Sequence, residues 1–150
     1  TTDDFDVKGK IILALDGIQD PGNFGTIIRI ADWFSIEHII CSEDTAELYN
    51  PKVVQSTMGS IARVHIFYTD IPEWMKAHPG LPVYASSLNG KKLFEMKKLK
   101  EGIVIIGNES KGISERVIQQ STEKITIPRT GKAESLNAAV ATGIILSYLK

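Results

Sequence analysis

The stretch Ile103-Val104-Ile105-Ile106-Gly107-Asn108-Glu109-Ser110-Lys111-Gly112 sets an unbroken aliphatic run against a polar loop bounded by glycines. A strand with one face in water alternates apolar and polar side chains. A strand that is aliphatic at every position must be covered on both faces, which is the habit of a parallel sheet between two layers of helices. Comparable short runs at 11–15, 38–41, 64–67, 81–85 and 125–127 read as five further strands. Between them lie helical stretches: 24–34, with Ile27, Ile28, Ala31 and Phe34 at helical spacing; 51–58, opened by Asn50 as cap and Pro51 in the first turn; 71–77; 114–120; and 135–149, the longest. The alternation predicts an α/β fold, a parallel sheet with helices on both faces.

The chain has 150 residues, 43% of them hydrophobic, which predicts one domain with a real core. A single Cys and three scattered His exclude a disulfide scaffold and offer no metal-ligand spacing, so no metal site is expected. That composition suits a reducing, cytoplasmic setting. No apolar run approaches the roughly 20 residues needed to span a bilayer. A formal net charge of −1 argues against gripping nucleic acid by bulk charge alone. Residues 1–10 are polar, carry Asp3, Asp4 and Asp6, and read as a linker from an upstream domain, leaving 11–150 as the folded unit. The lysine-rich segment 91–100 (KKLFEMKKLK) reads as a solvated connection leading into the fifth strand.

In an open parallel sheet, ligands bind beyond the carboxyl ends of the strands. Three polar, glycine-bearing segments fall there: 16–25 followed by Arg29, 107–112, and 128–137. The glycines of the first do not form G-x-G-x-x-G, and no Gly-Lys-Ser/Thr follows Gly112, so neither a dinucleotide turn nor a P-loop is supported. A phosphoacceptor domain would need an acidic pocket, and only Asp16 is placed for one.

These residues carry a resemblance. Asp20-Pro21-Gly22-Asn23-Phe24-Gly25 with Arg29 resembles the first motif of the SpoU/TrmH family of RNA ribose 2′-O-methyltransferases. The run 103–109 with Gly112 is similar to the second motif. Ile127-Pro128, Gly131 and Ser135-Leu136-Asn137-Ala138-Ala139-Val140-Ala141 are similar to the third. The match covers about residues 11–149. It implies a SPOUT-class methyltransferase with a C-terminal trefoil knot, an exception to the near absence of knots in proteins. It further implies methyl transfer from S-adenosyl-L-methionine to a ribose 2′-hydroxyl of rRNA or tRNA, and a homodimer paired through 135–149. The alternative is a catalytically silent RNA-binding or assembly module that keeps the knot.

By position, the resemblance assigns catalytic roles to Asn23, Arg29, Glu109, Ser135 and Asn137. The cofactor falls to Gly107, Asn108, Ile127 and Leu136, with Ala85 and Ser86 lining the same pocket. Each residue also has an ordinary reading. Asn23 and Ser135 are favoured helix caps, Asn108 suits a turn, and Arg29 sits on an amphipathic helix. Glu109 is expected to orient Asn23 or Arg29 through charge-assisted hydrogen bonds. Arg29 would either take the hydroxyl proton or stabilise the developing alkoxide as a donor. Ile30 stands where the family usually has Thr, and Arg129 where Met is common. Cys41 reads as a core residue. The helix 135–149 is apolar on nearly every face and must be covered all round, with Ile144, Ile145 and Tyr148 supplying interface area.

Overall fold

The computed structural model describes residues 5–150. Six strands, β1 (Ile11–Asp16), β2 (His38–Cys41), β3 (His65–Tyr68), β4 (Val83–Lys92), β5 (Gly102–Gly107) and β6 (Glu123–Thr126), form one sheet in the order β3-β2-β1-β5-β4-β6. Every pairing is parallel. The helices are α1 (Pro21–Trp33), α2 (Pro51–Thr57), α3 (Ile71–Lys76), α4 (Glu115–Ile118) and α5 (Ala138–Leu149).

Strand periodicity distributes the core. Ile11, Leu13 and Leu15 of β1 point into one apolar layer with Phe24, Ile27 and Ile28 of α1 and Ile145, Leu146 and Leu149 of α5. Ile12 and Ala14 point into the opposite layer with Ile71, Trp74 and Met75 of α3 and Val117 of α4. The sheet is therefore covered on both faces, as its aliphatic runs demand. Phe5 and Val7 pack against the second layer, with Phe5 stacked on His38 at 3.8 Å. Cys41 is fully buried, and burial pushes its thiol pKa up, so it is a core residue with no thiolate to offer. No helix among the described residues is long and apolar enough to cross a membrane.

The chain runs outward from β1 to β2 and β3, then crosses to build β4, β5 and β6 on the other side. β1 and β5 are adjacent in register from Ile11↔Gly102 to Asp16↔Gly107. The loops that follow them must therefore meet, at the position where such sheets hold ligands.

Several elements differ in their bounds from the expectation. β4 does not end at Ala85. Ser86 and Lys91 both lie opposite Ile125 of β6, so residues 87–90 loop out and the strand resumes to Lys92. The pairing is made by backbone groups under a polar sequence, which leaves no hydrophobic signature. Residues 93–95 form a 3-10 turn whose Leu93 is buried. α5 begins at Ala138 and its cap is Asn137, not Ser135.

α1 opens earlier than Phe24, at Pro21, where the Asp20 side chain caps it by accepting from the Asn23 N–H at 2.8 Å. Gly25 lets α2 cross closely: a Cβ there would stand 2.3 Å from Ser56 Cβ and 2.7 Å from the Val53 carbonyl. On α5 the inward residues are Ala138, Ala139, Thr142, Ile145, Leu146 and Leu149, while Val140 and Tyr148 are about half exposed. Ile145 is 1% exposed. It belongs to this chain's own core and supplies no area to a partner, because it lies on the Thr142–Leu149 face that meets the sheet.

Candidate active site at the carboxyl rim

Two loops are stitched together first. Asn108 donates its side-chain amide to the Gly17 carbonyl at 2.7 Å, joining the β5 loop to the β1 loop. Its Oδ1 accepts the N–H groups of Ser110 and Lys111 at 2.8 and 2.9 Å. At Gly107 the chain folds back so tightly that a Cβ would lie 2.5 Å from the backbone of Gly112 and Ile113. Only glycine fits such an approach. Both residues shape the loop that presents Glu109.

Glu109 is the centre of the arrangement. Its Oε1 accepts from the Gln19 N–H at 3.1 Å and its Oε2 from the Asp20 N–H at 2.9 Å, with the Asn23 amide 3.4 Å from Oε2. Partial burial pushes this carboxyl up. The donated hydrogen bonds from the Asp20, Glu109 and Gln19 backbones and from Asn23 outweigh that and hold it below the ordinary carboxylate value.

Asn137 closes the network from the other side. Its Oδ1 accepts from Ala139 and Val140 at 2.9 and 3.1 Å, capping α5. Its amide nitrogen donates to Asn23 Oδ1 at 2.9 Å. Because the cap consumes the oxygen of Asn137, only its NH2 is free for Asn23. Asn23 must then present its own NH2 to Glu109. Both amide orientations follow from the network. One directed chain of hydrogen bonds thus links the N-termini of α1 and α5 through two amides to one carboxylate.

Arg29 lies on α1 beyond Asn23 and is exposed. It makes no ion pair with a described residue. Its Nη1 instead contacts the thioether of Met58, a residue held in the left-handed region at φ 50. The expected Glu109–Asn23 contact is present. Glu109 makes no hydrogen bond to Arg29 in the described network.

Beside the network lies a cavity of about 250 Å³, walled by the loop-out within β4, the segment after β6 and the start of α5. Ser86, Ile127, Ser135 and Leu136 line it. Gly107, Asn108 and Ala85 do not; Ala85 is fully buried inside the sheet. Leu88, which walls the cavity from the tip of the loop-out, carries no signal in the polar run that contains it. Leu136 lines the cavity and its neighbour Asn137 belongs to the network, so the two share an edge.

The same chain matches the model of the SpoU rRNA Methylase family over residues 10–147. It is 33% identical over 143 residues to the 23S rRNA (guanosine(2553)-2′-O)-methyltransferase RlmP of Bacillus subtilis, covering 93% of this chain and 57% of that protein. Its fold is similar to that of an AdoMet-bound rRNA methyltransferase from Sinorhizobium meliloti (TM-score 0.86, 33% identity, 93% of this chain and 55% of that one). It is also similar to the SpoU methyltransferase AviRb from Streptomyces viridochromogenes in complex with AdoMet (TM-score 0.84, 28% identity, 93% and 58%). The chain therefore spans a little over half the length of these relatives. With a family match over nearly all its residues and a fold shared with solved members, this chain belongs to the SpoU rRNA methylase family.

Proposed function

We propose that this chain transfers the methyl group of S-adenosyl-L-methionine to a ribose 2′-hydroxyl of rRNA or tRNA, with no metal. The observation that carries the reading is the Asn137–Asn23–Glu109 chain, set beside the cavity that Ile127 and Leu136 line. The family and the AdoMet-bound relatives support it. The cavity suits the cofactor's chemistry. Leu88, Ile127 and Leu136 give an aromatic heterocycle apolar walls, while Ser86 and Ser135 offer hydroxyls to its sugar. The N-terminus of α5 favours a carboxylate nearby.

When bound, S-adenosyl-L-methionine supplies a methyl carbon whose bond to sulfur breaks, the electron pair going to sulfur, as the 2′-oxygen attacks. The protein's task is then alignment and the handling of one proton. Glu109, kept ionised by its donors, locks Asn23, and Asn137 locks Asn23 from the other side. These groups hold the rim rigid. A guanidinium is protonated at any ordinary pH. Arg29, with no carboxylate partner among the described residues, serves as the donor that stabilises the 2′-oxygen as its proton leaves to water.

Residues 11–150 are the catalytic unit of this reading, with the C-terminal segment knotted as in the SPOUT class and the enzyme working in the cytoplasm. The chain works as a homodimer paired through α5. On that helix Val140 and Tyr148, eight residues apart, are about half exposed on the side turned from the core, with Ile144 between them partly buried against it, and Trp33 at the end of α1 is 83% exposed. The test is calorimetric titration with S-adenosyl-L-methionine and S-adenosylhomocysteine, with and without a chelator. Methyl transfer onto total tRNA and rRNA from a host lacking the gene follows. Absence of binding at millimolar cofactor, or its loss on chelation, refutes the reading.

A further inference from the structure

The lysine-rich segment 91–100 is more than a connection. It holds five lysines and one glutamate in a chain whose formal charge is −1. Lys91, Lys92, Lys97, Lys98 and Lys100 are all exposed, and none forms an ion pair with a described residue. An unstructured lysine tract would be an ordinary solvated linker, but this one is tied down. Leu93 is 2% exposed, and Met96 and Leu99 pack against the same core layer. The Leu99 N–H also donates to the Leu149 carbonyl at 2.7 Å, at the end of α5. With an apolar anchor at every third position, the backbone is fixed and the lysines between the anchors are turned outward.

Two further features give this strip a partner. Phe94 is 55% exposed on the same segment, with the Lys92 ammonium 5.9 Å from its ring centroid. An exposed ring among cations is what a nucleobase stacks on while its phosphates meet the charges. The strip also begins close to the proposed cofactor cavity: Ser87 and Leu88 of the loop-out wall that cavity, and Lys91 follows after Asn89 and Gly90.

We infer that the segment 91–100 is a docking strip for the sugar–phosphate backbone of single-stranded RNA, leading away from the cofactor cavity. This rests on the RNA methyl-transfer reading and adds to it where the substrate lies. The phosphates ride on the outward ammonium groups. Lys91, Lys97, Lys98 and Lys100 also edge a groove of about 460 Å³, and the phosphates stay at its rim because Glu95, Glu101 and Glu123 share its lining. The lysines serve position and affinity, not sequence choice.

The test uses the full chain and two variants, Lys91→Ala/Lys92→Ala/Lys97→Ala/Lys98→Ala and Phe94→Ala, with total tRNA and rRNA from a host lacking the gene as probe. Each neutralised phosphate contributes about 0.7 to the slope of log affinity against log salt for single strands. The quadruple variant should therefore lose about 3 from that slope and bind RNA at least about tenfold more weakly at low salt. Its melting temperature, cofactor affinity and turnover at saturating RNA should match the unmodified chain. Phe94→Ala should weaken RNA binding about fivefold or more without moving the slope. An unchanged slope and affinity in the quadruple variant overturns the strip alone. Variants that instead lose a polyglutamate competitor while keeping RNA would reassign it to acidic protein and also overturn it. RNA bound through the strip but never methylated refutes the methyl-transfer reading and leaves the strip standing, while no RNA binding by the unmodified chain refutes both.

Discussion

At the scale of single residues, the rim separates the hydrogen-bonded Asn23, Glu109 and Asn137 from Arg29, the donor of the proposed reaction. Arg29 makes no ion pair with a described residue, and Arg29→Ala should lower methyl-transfer turnover by on the order of 100-fold, as for other lone transition-state donors. Cofactor affinity by calorimetry should not change. Arg29→Lys should recover little, because an ammonium cannot reproduce the planar fork. Glu109 is held below its ordinary pKa against the opposing effect of burial. A depressed carboxyl stabilises the fold fully above its unfolded pKa, near the ordinary value of 4.5, and loses that contribution as pH falls through the folded value. The melting temperature of the unmodified chain should therefore exceed that of Glu109→Gln at pH 7, and the gap should close toward pH 3. A gap independent of pH would show that the charge of Glu109 plays no part.

At the scale of the element, α5 is joined to the site by its cap. Asn137 satisfies two orphan N–H groups of the helix and holds Asn23 with the same side chain. The two duties can be separated. Asn137→Ala removes both, and should cost about 1 kcal/mol of stability by denaturant midpoint together with a loss of turnover. Asn137→Ser keeps a good capping oxygen but no amide to reach Asn23. Its midpoint should stay within about 0.5 kcal/mol of the unmodified chain, while single-turnover methyl transfer falls about tenfold. The sequence reading made Ser135 the cap of this helix and gave Asn137 a catalytic role only, whereas the structure makes Asn137 the cap. A sequence shows which residue types can cap, and only the path of the backbone decides which of two neighbours does.

At the scale of the whole molecule, the exposed stripe of α5 is the surface that the proposed dimer would cover. Tyr148→Asp and Val140→Asp should yield monomers by light scattering with reduced methyl transfer, although Asn23, Arg29 and Glu109 are untouched. Ile145→Asp should instead unfold the chain, because its side chain is buried in the core of its own subunit. A 16.5 kDa monomer at micromolar concentration with full activity ends the dimer proposal.

The sequence by itself determined the parallel sheet, its two covered faces and the three loops that share a rim. Each follows from local chemistry: aliphatic runs report burial on both sides, and proline, asparagine and glycine mark where chains turn. The grouping of Asn23, Glu109 and Asn137 in one site came from the family resemblance, and the structure joins the three in one hydrogen-bonded chain. The tertiary structure alone decided which way the pairs point. It showed that Gly107 and Asn108 shape a loop while Leu88 walls the cavity, that Ile145 faces inward and Val140 outward, and that the lysines of 91–100 stand on buried anchors. Composition shows that a residue must be covered or solvated. What covers it depends on groups far away in the chain, and those meet only when the sheet has closed.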